Sequence, residues 1–232
     1  MERVPEDLFL FKLPDTYRPG SDKLSKSVAK HQAVVDLVTK ALLNVSDNTY
    51  TAAETEWPDN ICCDILYLPR LALNRTLPPV MVEIQSLVNQ DLMNRAIQCC
   101  LHVYRKYEVL SVLLIVCTEK LSSCRLMDSF TACCDKPFLR QSSSNFWAQH
   151  CFLLSKSTIE HFANANGNPD PLVALSMLLT YKKRCIMKFD RWDCRRTMDD
   201  PTIVALYSIT KPIFEHIRQG EDEKLEALQT VC

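Results

Sequence analysis

Asp59-Asn-Ile-Cys-Cys-Asp64-Ile-Leu-Tyr-Leu68 and, after an eleven-residue connection, Val80-Met-Val-Glu83-Ile-Gln85 decide the reading of this chain. Residues Ile61–Leu68 and Val80–Gln85 are short, apolar and rich in side chains that fit a pleated surface, so both read as strands. Apolar residues on both faces place them inside a covered sheet rather than at an edge. Each nevertheless carries a carboxylate, Asp64 in one and Glu83 in the other. A buried charge shifts its pKa, pairs, or holds a metal, because burial without compensation is expensive. The strand period of two puts Glu83 and Gln85 on one face and Val82 and Ile84 on the other. Two carboxylates and an amide on neighbouring strands are the makings of a small divalent-ion site.

Working outward, residues 1–24 hold Pro5, Pro14, Pro19 and Gly20 and read as an irregular arm. A helix is expected from about Ser25 to Asn44, with Val28, Val35, Val38 and Leu42 at helical spacing. Asp36 lies in that helix beside the apolar stripe, solvated or paired with Lys40 four residues on. Thr49–Trp57 reads as a first strand and Pro58-Asp59-Asn60 as a turn. Three prolines (Pro69, Pro78, Pro79) make the connection between the carboxylate strands a surface loop.

Beyond Gln85, Gln90–Tyr107 reads as a helix with the stripe Leu92, Ala96, Ile97, Cys100, Leu101 and Tyr104, while Arg95, Gln98 and His102 project from another face. Val109–Cys117 is too short and too β-branched to favour a helix, and reads as a buried strand. A helix between two strands is the unit that builds parallel or mixed sheets. Residues 119–144 are polar and serine-rich without a period, an insertion or mobile loop, and Phe146–Leu154 adds a strand. Two Asp-Pro starts, Asp170-Pro171 and Asp200-Pro201, combine an N-cap acid with proline at the first helical position. Pro212 is expected to end or kink the last main helix, and the charged tail from Gly220 to fray. The domain organisation is thus an arm over 1–24, an α/β core over 25–155 with the 119–144 insertion, and a helical extension over 156–232.

Composition narrows the chemistry. The chain has 232 residues, a formal net charge of −1 and three glycines. A near-zero charge imposes no global field that demands nucleic acid or membrane. Scarce glycine excludes the glycine-rich phosphate cradles and the nucleophile elbow. Twelve cysteines without a leader-like N-terminus point to free thiols in a reducing compartment, nucleus or cytoplasm, and not to secretion. No Cys-x-x-Cys occurs, so small buried hydrophobes are the plain account of them. A basic cluster (Lys182, Lys183, Arg184, Lys188, Arg191, Arg195) interleaved with Tyr181, Phe189 and Trp192 suits a nucleic-acid backbone, and equally the solvated ends of helices.

The Cys-Asp64-Ile-Leu-Tyr-Leu strand, the Val-Glu83-Ile-Gln85 strand, the helix through Asn94-Arg95-Ala96-Ile97-Gln98 to Tyr104 and the apolar strand Val112–Cys117 together resemble the PD-(D/E)XK nuclease superfamily. The resemblance is to the recombination-promoting and transposase-associated branch, with Glu-x-Gln in place of Glu-x-Lys, and it covers roughly residues 25–117. It implies an α/β fold with a mixed central sheet flanked by helices (restriction-endonuclease-like) and a helical C-terminal region. It also implies a Mg²⁺- or Mn²⁺-dependent DNA endonuclease or a transposon-derived relative of one, the alternative being a catalytically inactive member that keeps the fold as a DNA-binding or protein-interaction scaffold. Asp64 and Glu83 would be the metal ligands and, with Gln85, the catalytic residues; Asp36, Arg95 and Gln98 would be auxiliary, with Glu54 and Glu56 as fallback ligands. DNA is the expected partner, a homodimer is allowed, and no membrane association is expected. Gln85 stands where the family usually carries lysine, so it orients water but supplies no charge. Against the metal reading, Glu83 would pair with Arg95 or another base at the sheet's end, Gln85 would satisfy a buried carbonyl, and Asp64 would cap a loop.

Overall fold

The computed structural model describes residues 22–55, 63–70, 76–160, 162, 169–180, 201–213, 215 and 219. The arm up to residue 21, the Pro58-Asp59-Asn60 turn, Glu56, the basic cluster from Lys182 to Arg195 and the tail from Gly220 lie outside the described residues.

Seven strands form one mixed sheet, ordered β1-β2-β3-β4-β7-β6-β5. They are β1 (Tyr50–Ala53), β2 (Ile65–Pro69), β3 (Val80–Val88), β4 (Val112–Leu121), β5 (Thr131–Ala132), β6 (Arg140–Ser142) and β7 (His150–Ser155). The β3–β4 and β4–β7 pairs are parallel; the other four are antiparallel. The fold is therefore α/β, with helices covering both faces of a mixed sheet, as the sequence leads one to expect. Between β3 and β4 runs α3 (Gln90–Tyr107), the crossover that parallel neighbours require.

Two cores lie on the two faces. Val80, Val82, Ile84, Ile65, Tyr67, Leu114 and Val116 pack against α1 (Asp22–Lys30), α2 (Gln32–Leu43), α6 (Pro171–Thr180) and a helix over residues 201–213. Met81, Leu66, Leu113, Ile115 and Leu153 pack against Leu92, Met93, Ala96, Cys99, Cys100 and Val103 of α3. Strand alternation sorts each strand's residues between these layers. It also sends Glu83, which pairs with Ile115, toward α3.

Local chemistry sets the element ends. Asn89 caps α3, its Oδ1 accepting from Leu92 N at 2.8 Å, and Glu108 closes it in the left-handed region at φ 57°. Among the described residues, Asn44, Asn48 and Glu108 take positive-φ positions; the first two tolerate them because a short polar side chain bonds locally. The helix expected over 25–44 is broken. His31 is extended (φ −68°, ψ 134°) and caps α2, its Nδ1 accepting from Ala33 N at 3.4 Å. Helix begins already at Asp22, so the arm is shorter than residues 1–24.

Other boundaries also move. On α3 the buried stripe runs through Met93, Cys99 and Val103 rather than through Ile97, Leu101 and Tyr104, and Tyr104 is 46% exposed. Residues 119–144 are built into the fold. They complete β4, form α4 (Cys124–Asp128), and add β5 and β6 to the sheet edge beside β7. Asp170 caps α6 as expected, Oδ1 accepting from Leu172 N at 2.9 Å. Helical structure continues through Pro212 to residue 213, so proline does not end that helix.

Among the described cysteines, Cys63, Cys99, Cys100, Cys117 and Cys151 are buried, while Cys124 and Cys134 are exposed. No helix among the described residues is long and apolar enough to cross a membrane.

Candidate functional site

Asp64 sits just before β2 and opposite the middle of β3, because β2 runs antiparallel with Ile65 paired to Val82. That placement lets Asp64 reach backbone that the sheet ladder leaves open. Ile84 N donates to Asp64 Oδ2 at 2.9 Å, and Gln85 Nε2 donates to the same oxygen at 3.0 Å. In return, Asp64 N donates to Glu83 Oε1 at 3.3 Å. The residues brought together on sequence grounds as a catalytic set, Asp64, Glu83 and Gln85, are thus one hydrogen-bonded cluster.

The other carboxylate oxygen of Asp64 is engaged from the opposite layer. Lys26 of α1 places Nζ 2.9 Å from Oδ1; the Asp64 side chain is 9% exposed and that of Lys26 33%. Lys26 is the residue that sequence reasoning missed. It lies 38 positions from Asp64 on a helix with several lysines, and no local pattern sets it apart. Its placement follows from how α1 docks. Leu24, Val28 and Ala29 are buried against the sheet, and Tyr67 Oη donates to Ala29 O at 2.6 Å.

Glu83 is 1% exposed. Its Oε2 is buried and makes no hydrogen bond; Arg95 Nη2 stands 3.9 Å away, an ion-pair distance too long for a hydrogen bond. Loss of hydration, then the neighbouring Asp64 charge, push the Glu83 carboxyl up to about 7, against smaller opposing effects of Arg95, the Asp64 N–H and Gln85. The neighbouring Cys63 thiol is likewise raised, first by burial and then by the Glu83 charge. A buried carboxylate oxygen with no donor, beside a second carboxylate, is a place that would accept a cation.

The donor set fits Mg²⁺ or Mn²⁺ in kind. Asp64 and Glu83 offer hard oxygens, and such ions are held by one or two carboxylates with water on other positions. Among the described residues no cluster of three or more His, Cys, Asp and Glu side chains joins them.

The remaining candidates scatter. Arg95 borders Glu83, and Gln98 is exposed one turn further along α3. Asp36 belongs elsewhere: its Oδ1 accepts from Gln32 Nε2 and Asn48 N, both at 2.8 Å, and fixes the α2–β1 turn. Gln32 in turn donates to Tyr50 O. Tyr50 pairs with Pro69 at the far end of β2, roughly 16 Å from Asp64 at strand rise. Asp36 instead lines a separate cavity of about 500 Å³ with Lys40, Lys136 and Asp170. Its expected partner Lys40 is paired with Asp47 at 3.4 Å. Glu54 is exposed just past β1.

No protein-family model matches the sequence, and no curated protein or solved structure matches it either.

Proposed function

We propose that the chain is a Mg²⁺- or Mn²⁺-dependent DNA endonuclease of the PD-(D/E)XK kind, or a transposon-derived relative of one. The observation that carries this reading is the buried Oε2 of Glu83, which no hydrogen-bond donor reaches, beside Asp64. The Asp64 and Glu83 carboxylates are the groups that would hold the cation. When bound, it would polarise a phosphodiester oxygen and lower the pKa of a bound water.

The protein's own part is positioning. Ile84 N and Gln85 Nε2 fix the Asp64 carboxylate, and the Asp64 N–H fixes Glu83. Gln85 is half-buried, with a carboxamide that also has acceptor capacity for orienting a water. Arg95, 48% exposed at the rim, brings positive charge near any phosphate that approaches Glu83. The basic residues from Lys182 to Arg195, by their charge alone, would add to affinity for a phosphate backbone.

The test is nicking of supercoiled plasmid in Mg²⁺ or Mn²⁺ by the full chain, alongside Asp64→Ala and Glu83→Ala. Cleavage by the wild type and its loss in both variants is expected. Equal background in all three sinks the enzyme.

One observation favours a second reading, a catalytically inactive nuclease-like DNA-binding or interaction scaffold. Asp64 is already neutralised by Lys26, so the fold does not need a cation there. DNA binding without nicking, unaffected by Glu83→Ala, would select it.

A further inference from the structure

We propose that Lys26 is a resident counter-ion that competes with a divalent cation for Asp64 and yields its place when the cation binds. The inference rests on the cation-binding reading of Asp64 and Glu83. Asp64 Oδ2 is occupied by the Ile84 N–H and the Gln85 amide. The oxygen left for a cation is therefore Oδ1, and the Lys26 ammonium lies on it at 2.9 Å.

Two positive centres within contact distance of one oxygen repel each other strongly in so poorly hydrated a place. Either the ammonium moves or the cation stays out. The ammonium can move. Lys26 keeps a third of its side chain exposed while Asp64 is nearly covered, so four flexible methylenes can carry the charge back to water. Nor does the helix depend on the pair for its seat. Leu24, Val28 and Ala29 are buried against the sheet, and Tyr67 Oη holds Ala29 O.

This arrangement makes a distinctive demand. A residue that merely supported the site would weaken cation binding when removed, whereas a competitor strengthens it. Calorimetric titration of Mn²⁺ into the full chain at pH 8 and low salt tests this on wild type, Lys26→Met, Lys26→Gln, Lys26→Arg and Glu83→Gln, each first checked for cooperative melting. The two neutral variants should bind Mn²⁺ about tenfold tighter, the scale of one charge-assisted hydrogen bond removed from competition. Lys26→Arg should return to wild-type affinity or below, and Glu83→Gln should bind far more weakly than any of them.

Wild-type binding that is unchanged or weakened in Lys26→Met and Lys26→Gln overturns the counter-ion role and leaves the cation site standing. Absence of Mn²⁺ binding in every variant overturns both. Binding in the neutral variants but not in the wild type supports both.

Discussion

Glu83→Gln is the sharpest perturbation the structure offers. The side chain is 1% exposed, and one of its oxygens has no donor. Glutamine keeps the shape, retains an oxygen for the Asp64 N–H, and removes the charge. Burial and the Asp64 charge lift the carboxyl from an ordinary 4.5 to about 7 in the folded chain. Because the folded value is raised, Glu83 is free of penalty below the unfolded value. Stability is then lost as pH climbs through the folded one. Each tenfold in proton affinity is about 1.4 kcal/mol, so the wild type gives up roughly 3 kcal/mol by pH 8 in metal-free buffer. The variant should be the more stable at pH 8 by up to that amount, roughly 6–12 °C in Tm for a chain of this size. At pH 4.5 the two should nearly coincide. Thermal and urea melts with chelator at several pH values measure the difference. A variant that is less stable than wild type at pH 8, or a gap that does not change with pH, would refute the reasoning. It would mean that Arg95 already compensates the charge.

Asp64→Ala strips the Lys26 pair, the Ile84 N–H and the Gln85 amide of their shared acceptor. It should cost about 2–4 kcal/mol in urea denaturation, reduced somewhat because Glu83 loses a like charge. A neutral or stabilising result would make the Lys26 contact energetically empty. Tyr67→Phe leaves Ala29 O without its 2.6 Å donor and should cost about 1–2 kcal/mol, read as a lower urea midpoint at unchanged slope. For the thiols, alkylation at pH 8 mapped by mass spectrometry should mark Cys124 and Cys134 within the native protein. Cys63, Cys99, Cys100, Cys117 and Cys151 should wait for unfolding; burial pushes Cys100 and Cys151 up to about 12, so they lack thiolate as well as access. Fast native labelling of any of these five would contradict the two-core packing.

The sequence carries α3 and the strands around the carboxylates well, for identifiable reasons. Asn89 caps a long amphipathic run, and Val112–Val116 are all buried, so local signal and tertiary demand agree there. The break at His31 was illegible because the valine period passes over it: Val28 and Val35 face the same core from two different helices. Strands β5 and β6 have two and three residues, too few to show alternation. Of the site, Asp64, Glu83 and Gln85 stood out as polar groups in apolar strands. Lys26 did not, because a lysine on a surface helix acquires meaning only from what the helix docks against.

The strand order has a consequence for how the chain is made. β7 lies between β4 and β6 although both precede it in sequence. Until residues 150–155 arrive, β4 presents an unpaired edge of Val112, Leu113, Leu114, Ile115 and Val116, and the small β5–β6 hairpin has nothing to attach to. Such an edge invites pairing with another copy. A nascent chain paused before His150 is therefore the species most exposed to aggregation, and insertion of β7 is the event that closes the sheet.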